Sequence, residues 1–262
     1  LFQVSDADLR EFGASIAALG GGVSSMEDVA NKIVSYLDEN ISDSSGGNAN
    51  ALVRFYKTHP YNRLDQGLQG FAQGILGSDT SCLTLLATNR DNDDWKFRSK
   101  SNGRRAIPLA SADMVAGIPM ISSLLTQFGI DVGSVMRPDP MLIGDMSEKT
   151  YNTFYVPEAV GSPYIPAHDD FVIPNGIKSV LGFGGVLSSS ELFVVIMFSK
   201  ASIPADAVNK FSAIGAGVKE AVEPFVGNKV FAYNRDSDRR DHWIKHRSLQ
   251  NHWRNTPSKR AA

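Results

Sequence analysis

Cysteine is almost missing from these 262 residues, with Cys82 the only one. A lone thiol cannot close an internal disulfide, which excludes a disulfide-built scaffold and fits a reducing compartment. Also missing is any apolar run of about 18 residues, and Leu1 to Asp6 show neither the basic nor the hydrophobic part of a signal peptide. A soluble, cytoplasmic protein with no membrane insertion is expected. Excess charge of one sign is missing too: 26 basic residues against 28 acidic ones leave −2. The whole chain therefore carries no field that selects nucleic acid or an anionic membrane. A phosphate loop is absent, because Gly182-Phe-Gly-Gly185 lies within a strand pattern and no Lys-Ser/Thr follows it. Glycine there fits a bulge, or the close approach of a ligand or helix to a sheet.

What is present is ordinary globular material, 42% hydrophobic and 21% charged, in a length between one and two domains. The chain starts at Leu1 rather than Met, which predicts a longer product. The near-neutral total conceals a division. Residues 234–262 carry +5 and hold three of the five His and two of the three Trp, whereas residues 1–233 carry −7. This predicts one domain over 1–233 and a basic extension over 234–262.

Leu9, Phe12, Ile16 and Leu19 recur at helical spacing until Gly20-Gly21-Gly22 stops them. Ser24 with Glu27 forms a capping-box pattern ahead of a second helix through Met26, Val29, Ile33 and Leu37. Residues 42–50 read as a loop. Strands are predicted over 52–57, 81–88 and 150–156, with a short helix over 68–76 and a polar excursion over 89–105. Ser111 caps a helical stretch, and Pro119 inside its pattern predicts a break with a second segment starting there. Residues 177–187 and 191–199 read as a hairpin. The last helix, over 205–225, places Val208, Phe211, Gly215, Val218 and Val222 at alternating steps of three and four, as in a coiled-coil seam. A partner helix in a homodimer is one reading of that stripe, and an ordinary helix packed on the sheet is the other. Together these elements give an α+β fold, with a central antiparallel sheet of five or six strands flanked by N- and C-terminal helices.

Ala51-Leu-Val-Arg-Phe-Tyr-Lys-Thr-His-Pro-Tyr61, Ala106-Ile-Pro-Leu109, Phe154-Tyr-Val-Pro-Glu158, Gly161-Ser-Pro-Tyr-Ile-Pro166 and Gly176-Ile-Lys-Ser-Val-Leu-Gly-Phe-Gly-Gly185 are phrases with a family likeness. With the element order, they resemble the GAF-like N-terminal sensor region of bacterial sensor and hybrid histidine kinases, over roughly Asp6 to Phe231. The resemblance implies a GAF/PAS-like fold and signal input, with a small-molecule ligand held between one sheet face and the segments that cross it. It also implies a kinase or other output partner. The extension beyond Asn234 departs from the pattern, since no phosphoacceptor His or ATPase motif follows.

Three segments are candidates to line such a pocket. Residues 157–174 contain Tyr164, His168, Asp169 and Asp170, and Tyr155 precedes them. His168 with Asp170 has the chemistry of a base or metal site, while a rigid lid whose carboxylates satisfy loop amides is the simpler reading. Arg137 could grip an anion, and Met114 and Phe128 could meet an apolar ligand. A thioether-linked bilin does not suit Cys82, which is followed by Leu83 in mid-strand. The Asn-Lys-Phe-Asp-Glu pattern of cyclic-nucleotide-binding GAF domains is not found. Haem needs an axial ligand such as His59 or His168, and His59 beside Pro60 reads as a turn residue. No cofactor is assigned.

In the extension, His242 and His246 share one helical face at a spacing that suits a transition metal, and Trp243 and Trp253 among basic residues suit single-stranded nucleic acid or a partner. A solvated basic helix explains the same residues more simply. A protein that works through this tail is thus the alternative to a sensor. No nucleophile stands at recognisable spacing from a base, so the sequence does not read as an enzyme.

Overall fold

The computed structural model describes residues 5–72, 77–90, 105–136, 152–165, 167–227 and 229–232. Its compact unit is Leu1–Phe231. Helix α1 (Asp6–Ala18) starts at a full capping box, with the Ser5 hydroxyl accepting from the Asp8 amide and the Asp8 carboxylate accepting from the Ser5 amide. Helix α2 (Met26–Asn40) is capped by Ser25 and Asp28, one residue later than the Ser24–Glu27 pattern predicts.

Strand β1 (Asn50–Pro60) extends past both ends of its expected span. The short helix α3 (Gln66–Gln69) follows, then β2 (Ser81–Arg90). Strand β3 (Ala106–Pro108) was not anticipated, being three residues long at the end of a polar run. Ser111 caps α4 (Ala112–Ala116), and α5 (Pro119–Gln127) begins on the proline, so the break falls where the ring forbids an interior amide bond. Helix α6 (Val132–Met136) and strand β4 (Asn152–Val156) complete the middle of the chain. Strands β5 (Ser179–Val186) and β6 (Leu192–Ser199) form the expected hairpin, with Ser190 at a positive φ in its turn. The closing stretch divides into α7 (Ala205–Val208), α8 (Lys210–Val222) and a 3-10 turn at Glu223–Phe225.

All six strands form one antiparallel sheet in the order β3-β2-β1-β6-β5-β4. Side chains alternate across it. Val53, Phe55, Leu181, Phe183, Phe193, Val195 and Met197 face a core shared with α1, α2, α7 and α8. Leu52, Tyr56, Leu85, Phe154, Val180, Val194 and Ile196 face a second core under α4, α5, α6 and the segment after β4. A bulge opposite Phe55/Tyr56 puts Leu86 and Ala87 together in the first core.

On the first face, α1 and α8 meet backbone to backbone. A Cβ at Gly217 would lie 2.2 Å from the Gly13 carbonyl oxygen, and one at Gly20 would lie 2.6 Å from that of Ala221. The stripe that reads either as a coiled-coil seam or as a helix packed on the sheet lies inside the chain. Val208, Phe211, Gly215, Val218 and Val222 are all buried within the chain, and the Phe211 ring packs on Phe183 at 5.8 Å. The sheet and α1 occupy the stripe that a partner helix would need. Val218→Glu is therefore expected to abolish folding, because a carboxylate would replace a fully buried methyl group with no cation to meet it. Far-UV circular dichroism checks this: a dimer seam would instead leave a folded monomer.

Candidate functional site

Among the described residues, the sequence-derived site residues lie on both faces of the sheet. Phe128, at the end of α5, is buried on the second face, where its ring meets the sheet at Gly184. A Cβ at Gly184 would stand 3.1 Å from that ring and 2.1 Å from the Phe193 carbonyl oxygen, so the glycine-rich run admits a side chain of the chain's own helix. Tyr155 points the other way. It alternates with the inward-facing Phe154 and Val156, packs against the first core, and donates its hydroxyl proton to the Ile203 carbonyl. Burial pushes its phenol above the ordinary value. Met114 is 43% exposed.

The described residues between 157 and 177 lie over the second core, and their carboxylates do not hold them there. Asp169 and Asp170 are exposed. Instead His168 pins the loop: Nε2 donates to the Ser162 carbonyl at 3.0 Å, and Nδ1 accepts from the Gly161 amide at 3.4 Å. Both ring nitrogens are engaged, which leaves none for a metal or a substrate. Ala159, Ile165, Val172 and Ile177 turn inward, and Phe171 stands edge-on to Phe198 at 5.2 Å. Tyr164 remains 43% exposed. Arg137, His242 and His246 lie outside the described residues. Among the described residues, no three His, Cys, Asp or Glu gather as a metal site would require.

The most unusual cluster went unnoticed in the sequence. Lys57, fully buried at the β1 end of the first face, stands 2.7 Å from a Glu191 carboxylate oxygen. It also donates to the Thr58 carbonyl at 2.9 Å and lies 3.2 Å from Nδ1 of His59. All three ammonium protons are thereby used. His59 Nε2 donates to the Arg63 carbonyl at 3.2 Å. Nδ1 then accepts from Lys57, or, carrying its own proton, faces Glu191 at 3.3 Å. His59 is consequently no free axial ligand.

Burial alone would raise the Glu191 carboxyl, but hydrogen bonding to His59 and the Lys57 charge bring it down to about 2. Burial lowers the Lys57 ammonium, and Glu191 opposes that. The pair, 0% exposed at Lys57 and 12% at Glu191, ties β1 to the β5–β6 turn. A period-two reading would have found it. Val53 and Phe55 are inward, so Lys57 and His59 continue the same face.

No protein-family model matches the sequence, and no curated protein matches it. Among solved structures, the phycoerythrobilin-bound GAF domain of a cyanobacterial phytochrome is similar, with a TM-score of 0.40 and 12% identity over 84% of this chain and 97% of that one. The phycocyanobilin-bound GAF domain of a cyanobacterial phytochrome gives 0.39 and 10% over 85% and 96%. A bacteriophytochrome from the photosynthetic bacterium R. palustris gives 0.41 and 8% over 95% of this chain, which spans only 42% of that protein. The class of this protein rests on its own sheet: an α+β domain with six antiparallel strands and helices on both faces.

A covalently linked bilin does not fit the residues present. Cys82 is fully buried in β2, and burial pushes its thiol up to about 11, so neither access nor the reactive thiolate is provided.

Proposed function

We propose that this chain is a GAF-like sensory domain of a bacterial signal-transduction protein. In this reading a small molecule is taken up between the second sheet face and its cover, α4 to α6 with residues 157–177. Occupancy alters the packing of α1 against α8 on the opposite face, and a kinase or other output partner receives the change. One observation carries the proposal: one sheet separates that cover from the two terminal helices, which touch through backbone alone at Gly13 and Gly217. Close backbone contact tolerates little displacement, so a shift of the sheet moves the helix pair as a unit. Signalling requires the molecule to bind one of two packings more tightly than the other.

The reading does not use the former seam residues, which are occupied inside the chain. Nor does it take a bilin from the neighbouring structures, because Cys82 cannot hold one. Native mass spectrometry and an absorption spectrum of the purified protein, followed by thermal shift across a metabolite panel, test it. A co-purifying small molecule, or a metabolite that raises the melting temperature, is the expected result. A bare mass with no metabolite response overturns it.

A further inference from the structure

We infer that Lys229–Phe231, the segment by which the chain leaves the closing helix, is a releasable strap whose hold on the domain depends on the buried Lys57–His59–Glu191 cluster. The strap docks through its backbone, through Phe231 and through Val230, whose side chain is buried in the first core. Its Lys229 and Val230 carbonyls accept from the Met26 and Glu27 amides at 2.8 and 2.9 Å, filling two of the amides that begin α2. Its Phe231 ring stands edge-on to the His59 imidazole, 5.2 Å between centroids and 86° between planes. His59 is in turn fixed by Lys57, Glu191 and the Arg63 carbonyl. Phe231 also packs against the first core and the small cluster of Leu64, Leu68 and Cys82, so the charge cluster is one of the supports of its seat.

The same cluster reaches the root of the strap. Glu191 belongs to the β5–β6 turn, where Ser189 donates to it, and the neighbouring Ser188 amide donates to Glu223 at 2.9 Å. Glu223 opens the 3-10 turn that ends the closing helix. One turn thus contacts the strap's origin through Glu223 and its tip through His59. Arg63 and Cys82 complete the polar surroundings, the first lowering the Lys57 ammonium through its charge and the second opposite His59 in the sheet register.

Release exposes Val230, which is 3% exposed in the first core, and beyond that residue little else. Lys229 is exposed, Phe231 is half-buried, and the two α2 amides can turn to water. A rearrangement of the cluster would loosen the strap at Phe231 and, as Val230 follows, withdraw one residue from the edge of the first core. This route gives the sensory reading an exit and rests on it for its use, but its test needs no ligand, so either can fail alone.

The test is site-resolved amide hydrogen exchange on the full chain. In Phe231→Ala, exchange at Met26 and Glu27 should rise about tenfold while Phe193 and Val195 of β6 stay unchanged, as local opening requires. Glu191→Gln should raise exchange at Met26 and Glu27 by at least that factor beyond any change at β6. In the double variant Phe231→Ala/Glu191→Gln, no further local rise is expected. If Glu191→Gln does not fold, Lys57→Met/Glu191→Gln, which removes both charges, takes its place. The inference is overturned if Phe231→Ala leaves both amides unchanged. It is equally overturned if the charge variants alter them only in proportion to β6, or add fully to Phe231→Ala.

Discussion

Glu191→Gln is expected to destabilise the domain by about 3 kcal/mol, because it leaves the fully buried Lys57 ammonium without its counter-charge. Urea denaturation followed by circular dichroism measures this as a lower midpoint at unchanged slope. The companion variant decides the cause. Lys57→Met/Glu191→Gln should recover most of the loss, since a neutral, well-packed pair avoids the desolvation that a single buried ion suffers. A double variant as unstable as the single one would show that the ion pair is not the source.

The acid limb gives the same interaction a second signature. The Glu191 carboxyl is held near 2 in the folded protein against an ordinary 4.5, so the folded state favours its ionised form. Its contribution is complete above about pH 4.5 and disappears as pH falls toward 2. Wild-type stability should therefore fall more steeply across that window than stability in Glu191→Gln, and the two curves should converge at the acid end.

Gly217→Ala is the second large effect, about 3 kcal/mol of destabilisation by overpacking. The new methyl group would sit 2.2 Å from the Gly13 carbonyl oxygen, and a backbone atom of a second helix cannot step aside as a side chain does. The control lies on the other side of the same crossing. A Cβ at Gly13 meets nothing nearer than the Ala213 carbonyl oxygen at 3.5 Å, an ordinary contact. Gly13→Ala should therefore be neutral or stabilising by up to about 1 kcal/mol, the helix-propensity gain of alanine over glycine. Thermal melts of the two variants test the crossing directly, and equal melting temperatures would contradict it.

Much of this fold was legible because local chemistry dictated it. The stop after α1 follows from three glycines, the α4–α5 break from Pro119, and the β5–β6 hairpin from two apolar runs around three serines. Strand β3 was not legible, since three residues give no period and its place depends on the β2 edge supplied by distant sequence. The site was read less well. Tyr155 and Phe128 are both aromatic, yet strand alternation turns Tyr155 toward the first core while the end of α5 sets Phe128 in the second. His168 beside two aspartates resembled a reactive group, whereas the loop's own Gly161 and Ser162 consume its nitrogens. The burial of Lys57 was not legible because Glu191, which makes it tolerable, lies far along the chain and follows a turn of serines.

The contact between Gly13 and Gly217 also bears on how the chain is made. About 200 residues separate the two glycines, and at the usual ribosomal pace of roughly 5–20 residues per second, α1 waits some tens of seconds for α8 to emerge. During that interval Leu9 and Ile16 have no final partner, and the stripe they form stands open to whatever else is in reach. The newborn domain is thus most exposed to chaperones and to aggregation at α1, and its release from that risk coincides with completion of α8.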